Sequence, residues 1–448
     1  MTNWNNRMLF RLLGPLIVEQ VLTITIGLAD TTMVAGVGMY AVSGVSLVDQ
    51  LNLLLVLVFG ALATGGTVVV SQFIGRRDER NARLASRQLM YTSVAVSLVI
   101  MALTLFLRRP VLRLLYGRIA PEVMAAADTY FWLSAVSYPF LAVYNTAAAL
   151  FRSAGNSRIT MFISILANVI NIGGNALLIY GFRLGVAGAA LATLVSRAAA
   201  ALALSSMLMS PGSQVRFRAV SLRGLFKVSL APAIIGNILR VGIPSGVESS
   251  LFQMGKVLVA RIFTTFGTTV IAANAVAAAL TAFPFMPAQA CALAILTVVG
   301  QCIGAGDYAG ARRNNRKLMI VSYGTVIFLS LIIAVFLDSI VGLFRLSPES
   351  HETAKRFLLY HCIAAPLFWP ASFTLPNALK AAGDARYVMI TASASMWLIR
   401  VCGSYVMAYP LGFGPAGVWY AMYADWFFRA ACYVFRWRGE RWKEKRVI

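Results

Sequence analysis

The chain has 448 residues; 59% are hydrophobic, only 12% are charged, and the formal net charge is +23 at pH 7. So apolar a composition excludes an ordinary soluble globular protein. The chain has no HExxH, GxSxG or Walker pattern and no cluster of catalytic polar residues at one membrane face, so an enzyme is not expected.

Apolar stretches of about 20 residues recur along the whole length, and each is long enough to cross a ~30 Å hydrocarbon core as a helix. They predict twelve spans, at about 12–37, 48–72, 88–107, 128–151, 159–182, 186–209, 241–264, 277–300, 317–337, 357–379, 387–409 and 414–436. The runs are unbroken, whereas lipid-facing barrel strands alternate, so the expected class is an all-α integral membrane protein. The first run holds Glu19 and Asp30 and lacks a small-residue cleavage site, so it reads as a span and not as a signal peptide.

With the N-terminus on the cytoplasmic side, most Lys and Arg fall in inner loops. The clusters are Arg76, Arg77, Arg80, Arg83 and Arg87; Arg216, Arg218, Arg223 and Lys227; Arg312, Arg313, Arg316 and Lys317; and the tail from Arg436 to Arg446. Charge placed this way fits anionic membrane lipid and a bacterial inner membrane with both termini cytoplasmic, and no nucleic-acid partner is expected. The outer loop with Arg108, Arg109, Arg113 and Arg118 departs from the pattern. Five scattered cysteines read as small buried hydrophobes, and His351 and His361 form no metal pattern.

Residues 11–90 align with 240–319 at a constant offset of 229. Pro15 and Glu19 fall on Pro244 and Glu248, and Gln72-Phe-Ile-Gly75 with Asp78 falls on Gln301-Cys-Ile-Gly304 with Asp307. Gly185, Ala187 and Gly188 match Gly414, Ala416 and Gly417 at the same offset. Each half therefore holds six spans. An even number makes the halves parallel repeats related by a pseudo-two-fold axis along the membrane normal, a transporter design. The expected organisation is an N-terminal lobe at 1–209, a cytoplasmic linker with a surface helix at 210–235, and a C-terminal lobe with a basic tail at 236–448.

Features shared by both halves are expected to build the lobes. Asp78 and Asp307 read as helix caps or partners of nearby arginines. Features in one half only are better functional candidates. Asp30 has Val259 as its counterpart, and Lys256 has Gly27. A carboxylate inside a span costs at least about 2.5 kcal/mol on insertion scales, so such residues face a cavity or a partner. Asn171 and Asn175 are four residues apart and share a helix face, with Asn168 three residues earlier. Their carbonyl oxygens suit a hard cation. With no fixed positive charge foreseen beside it, Asp30 among neutral oxygens fits Na+ or H+. The bland alternatives are a structural Asp30–Arg197 pair and interhelical amide bonding.

These residues resemble the multidrug and toxic compound extrusion (MATE) family over nearly the whole chain. The resemblance is carried by Gly14-Pro15 through Asp30-Thr31, by NVINIGGNALLIYGFRLGVAGAALATLVSR at 168–197, and by RVGIPSGVESSLFQMGKVLVARIFTTFG at 240–267 with QCIGAGD at 301–307. It implies export of amphipathic, mostly cationic compounds in exchange for Na+ or H+, with no other cofactor and a monomeric chain. It further implies a cation site, possible for Na+, at Asp30, Asn171, Asn175 and Thr193, and a helix-1 hinge at Pro15. Asn175 stands where the family often has a second carboxylate. Glu19 lies three turns before Asp30 on one face and reads as a proton path or, with Glu248, a gate.

Prolines interrupt spans eight and ten, and the aromatic and polar residues around them read as a substrate cavity. The candidates are Gln253, Lys256, Phe283, Phe285, Met286, Gln289, Trp369 and Phe373. Lys256 either pairs or lines the cavity and repels cationic cargo. Arg400 and Arg429 are expected to pair with Asp425. A flippase for a lipid-linked saccharide or other polar lipid is the alternative function.

Overall fold

The computed structural model describes residues 4–117, 119–209, 220–222, 225, 229–445 and 447–448. Most of the predicted linker lies outside the described residues, as do Arg118, Arg216, Arg218, Arg223, Lys227 and Arg446. No strand occurs among the described residues.

Two compact units form. The first, Asn5–Gly246, begins with α1 (Asn6–Ala35), α2 (Met39–Gly75), α3 (Glu79–Tyr116) and α4 (Pro121–Ser153). It continues with α5 (Arg158–Asn175), extended by a π-helical turn Ala176–Gly181, and α6 (Gly185–Met209). The second, Val247–Ile448 with Trp4, takes up most of α7 (Pro232–Thr264), then α8 (Thr268–Thr281) and α9 (Phe285–Gly304). There follow α10 (Tyr308–Val335), the short α11 (Leu337–Gly342), and α12 (Pro348–Trp369), which runs through a π-turn into α13 (Pro376–Ala381). The chain closes with α14 (Ala385–Ala394), a π-segment Ser395–Cys402, α15 (Gly403–Ala408) and α16 (Gly414–Arg438). Taking α8 with α9, α12 with α13, and α14 with α15, each repeat has six spans. Among the described residues the chain is all-helical and multi-pass, and its helices group into twelve spans, nine of them long and apolar enough by themselves to cross a membrane.

The division between units falls inside α7 because its first half packs on α2. A Cβ added to Gly65 would stand 2.3 Å from the carbonyl oxygen of Ile238. Only glycine permits that approach, the small-residue packing that stands in for hydrophobic burial between membrane helices.

The helices overrun the predicted spans: α2 starts at Met39 and α3 reaches Tyr116. Pro284 breaks the eighth span between α8 and α9, where the sequence places its interruption.

The repeat holds at the level of atoms. Asp78 Oδ1 accepts the Asn81 N–H at 3.1 Å to cap α3, and Asp307 Oδ1 accepts the Gly310 N–H at 2.7 Å to cap α10. A Cβ on Gly188 would lie 2.9 Å from the Leu178 carbonyl, and one on Gly417 would lie 2.7 Å from that of Met407. All these pairs are separated by the same 229 positions.

Hydrogen bonds from the Asn81 backbone and side chain hold the half-buried Asp78 carboxyl below the usual carboxylate range. Its contribution is therefore full above the unfolded value near 4 and is lost as pH falls through the lower folded value. Asp78→Ala is expected to cost about 1 kcal/mol at neutral pH. Melting temperatures of the two proteins should differ at pH 7 and converge at acid pH, once the lowered folded value has been passed.

Candidate functional site

In the N-terminal unit, α1, α5 and α6 converge on Asp30. Asn175 Nδ2 donates to Asp30 Oδ1 at 2.5 Å. One turn earlier on α5, Asn171 Nδ2 donates to Thr193 Oγ1 on α6 at 3.2 Å. Asn171 and Asn175 are fully buried, while Asp30 and Thr193 are half-buried. The amide carbonyl oxygens of Asn168, Asn171 and Asn175 are buried with no hydrogen-bond partner. Three orphaned carbonyl oxygens on one helix face, beside a carboxylate, are a donor set for a hard cation. No group of three or more His, Cys, Asp or Glu placed to hold a metal ion occurs among the described residues, and the amide and carboxylate oxygens here are hard donors.

Two charged groups near Asp30 were not foreseen as its neighbours in a site. Arg197 sits one turn after Thr193 on α6 and acts electrostatically on Asp30, which corrects the expectation of no fixed positive charge there. It does not form the alternative structural pair. Its guanidinium donates to Ser137 Oγ at 2.6 Å and reaches Asp30 only through space. The second group is Asp49 on α2. Asn52 Nδ2 donates to Asp49 Oδ1 at 3.5 Å, Tyr138 donates its hydroxyl to Asn52 Oδ1 at 2.6 Å, and Tyr130 also hydrogen-bonds Asp49. The counterpart of Asp49 is Ala278, so the rule that singled out Asp30 also singles out Asp49.

Helix α1 is built to bend. Pro15 lies inside it, and Thr23, Thr25 and Thr31 each turn a hydroxyl back to the carbonyl four residues earlier. Such back-bonding loosens and bends helices. A Cβ on Gly14 or Gly27 would meet nothing within 4 Å, so neighbours do not hold the helix at those points.

Glu19 is clamped. Arg152 on α4 meets Oε1 at 3.1 Å, and Thr160 on α5 donates to Oε2 at 2.9 Å. Its repeat partner Glu248 meets Lys380 on α13 at 2.7 Å. In each repeat the glutamate of the first span is thus tied to a cation of the fourth. Removing one member of a buried pair leaves the other uncompensated, at about 3–5 kcal/mol. Glu19→Gln is expected to lower the melting temperature of the purified protein clearly. Asp30→Asn, which removes no ion pair, should melt close to wild type.

In the C-terminal unit, a cavity of about 440 Å³ is lined by Lys256, Phe285, Gln289, Trp369 and Phe373 from the predicted set. Gln253, Phe283 and Met286 do not line it: Phe283 is exposed and Met286 is buried elsewhere in the packing. Arg400, His361, Trp419 and Trp426 line it and were not foreseen there. Asp425 is fully buried, with Arg429 Nε at 2.8 Å from Oδ1 and Arg400 at 4.0 Å from Oδ2. Ser395 also donates to Asp425 Oδ1.

The MatE family model matches the chain twice, over residues 15–177 and 244–406. The chain belongs to the MatE family. The two matched segments stand 229 positions apart, the offset of the internal repeat. An uncharacterized transporter of Bacillus subtilis, YisQ, is 28% identical over 98% of this chain and 95% of its own length. A probable multidrug resistance protein NorM of Thermotoga maritima is 27% identical over 98% of this chain and 94% of its own. A crystal structure of a MATE protein in its bent conformation matches with a TM-score of 0.90 at 19% identity, covering 98% of this chain and 95% of that one. That likeness shows a shared fold.

Proposed function

We propose that this MatE-family protein is a secondary active exporter of amphipathic organic compounds, driven by inward movement of Na+ or H+ and working by alternating access. The observation that carries the reading is Asp30 in contact with Asn175 beside three orphaned amide oxygens. A cation or proton at Asp30 neutralises a charge that is costly inside a span. It would also draw the carbonyl oxygens of α5 toward α1, the helix interrupted by Pro15. Binding shifts the conformational equilibrium only through different affinities in the two states, and the bend of α1 supplies that difference. In this reading Asp49 is the second carboxylate of the site, replacing the acid that Asn175 lacks, and Arg197 balances the two. Glu19 and Glu248 act as tethers at a gate, because their ion pairs leave no free carboxylate for a proton path. The relatives named for multidrug resistance favour organic cargo over a lipid-linked saccharide. Basic inner loops favour an inner membrane with both termini cytoplasmic.

The test is loss of preloaded ethidium or naphthalene-2-sulfonate from proteoliposomes under an imposed Na+ gradient and, separately, a pH gradient. One gradient is expected to drive export of at least one dye. Asp30→Asn should abolish that export, and Asp49→Asn should reduce it by about tenfold or more, a change of about 1.4 kcal/mol in the driving interaction. Export of neither dye under either gradient by folded protein contradicts the reading.

A further inference from the structure

Each residue of the N-terminal cation site has a counterpart 229 positions on. Asp30 corresponds to Val259, Asn171 to Arg400, Asn175 to Ser404 and Thr193 to Met422. The matched Gly188 and Gly417 contacts show that this register persists through the sixth span of each repeat. Val259, Arg400 and Met422 all line the C-terminal cavity, so the second repeat has a cavity at the equivalent place.

Its polarity is reversed. Lys256 and Arg400 line the cavity and no carboxylate does. Asp425 lies behind the wall and is shared by two guanidiniums, with Arg429 in contact and Arg400 held at 4.0 Å. Lys256 has no hydrogen bond or ion pair among the described residues, and the charge of Arg400 acts on it. The Arg400 Nε–H and the indole N–H groups of Trp419 and Trp426 are buried without an acceptor. Buried donors without acceptors are costly, and an anionic oxygen satisfies them better than any neutral group.

The walls suit a flat ring. Phe285 stacks on Trp369 at 4.3 Å with 6° between the planes, and Trp369 stacks on Phe373 at 5.2 Å. Aromatic walls of this kind attract organic cations where their faces are free. Here the Arg429 guanidinium already lies 5.0 Å from the Phe252 centroid and 5.6 Å from that of Phe373, and Arg400 lies 5.7 Å from Phe252. A cationic ligand would meet occupied faces and an unpaired ammonium.

We propose that this cavity binds an organic anion, a flat aromatic body carrying a sulfonate, carboxylate or phosphate that Lys256 and Arg400 receive. The inference deepens the exporter reading and rests on it only in making this ligand the cargo. The volume of about 440 Å³ falls within the range of small-molecule sites, roughly 300–1,000 Å³. Export of an anion against entry of a cation moves positive charge inward on both legs, so an inside-negative membrane potential drives it.

Binding is tested without any gradient, on the full chain in phosphatidylcholine nanodiscs, by calorimetry and quenching of tryptophan fluorescence. The probes are naphthalene-2-sulfonate and 2-naphthyltrimethylammonium, which share a ring and differ in charge. Wild type is expected to bind the sulfonate at least tenfold more tightly than the ammonium. Lys256→Gln should lose at least tenfold in sulfonate affinity without a change in melting temperature, and Lys256→Arg should restore it. Equal or tighter binding of the ammonium, or unchanged sulfonate affinity in Lys256→Gln, overturns the proposal. Displacement of the sulfonate by phosphatidylglycerol added to the nanodisc assigns the cavity to lipid and also overturns it. A sulfonate that binds but is exported under neither gradient leaves the site standing and removes it as a cargo site. Ethidium export by a protein that does not bind the sulfonate leaves the exporter and removes the anion site.

Discussion

A charge placed inside a span must find a partner or open onto a cavity, and that constraint organises this molecule. In the N-terminal unit the partners of Asp30 are an amide hydrogen bond from Asn175 and the field of Arg197. In the C-terminal unit Asp425 is enclosed by Arg429, Arg400 and Ser395. Glu19 and Glu248 are each closed by a cation from their own repeat. What separates a structural charge from a functional one is the balance left over. Glu19 has both carboxylate oxygens engaged, whereas the amides around Asp30 keep carbonyl oxygens that nothing engages.

Duplication explains how one fold holds sites of opposite character. The caps at Asp78 and Asp307, and the glycine contacts at Gly188 and Gly417, set the same crossings in both halves. Single substitutions at equivalent positions then set the charge of the lining: a carboxylate against valine, an amide against arginine, a hydroxyl against methionine. The scaffold and the specificity are thus carried by different residues, which lets each lobe diverge without repacking.

Much of this was legible in the residues themselves. Span number, repeat register, both caps and the break at Pro284 follow from hydropathy and helix-breaking chemistry, which are local. The family resemblance and the i, i+4 spacing named Asp30, Asn171, Asn175 and Thr193, and packing brings them into hydrogen-bonded pairs, Asn175 with Asp30 and Asn171 with Thr193. Asp49 was missed although its counterpart is alanine, because it lies at the edge of the predicted second span and not deep within an apolar run. Asn52 follows Asp49 by three residues on α2, but Tyr130 and Tyr138 come from α4, and only packing brings them to it. Five of the eight residues named for a cavity line the one found, and the other three miss it for a related reason. Sequence proximity to a proline break groups Phe283 and Met286 with Phe285, but Phe283 lies in the break itself and helical rotation sends Phe285 and Met286 in different directions.

The central claim is that Asp30 is the group that receives the coupling ion. Infrared difference spectroscopy of the purified protein, recorded on adding Na+ and on lowering pH, reads the carboxyl vibration directly. A carboxyl band that changes in wild type and is absent in Asp30→Asn is the result this account predicts. The same band persisting in Asp30→Asn would contradict it, and would place the coupling group on another carboxylate of the chain.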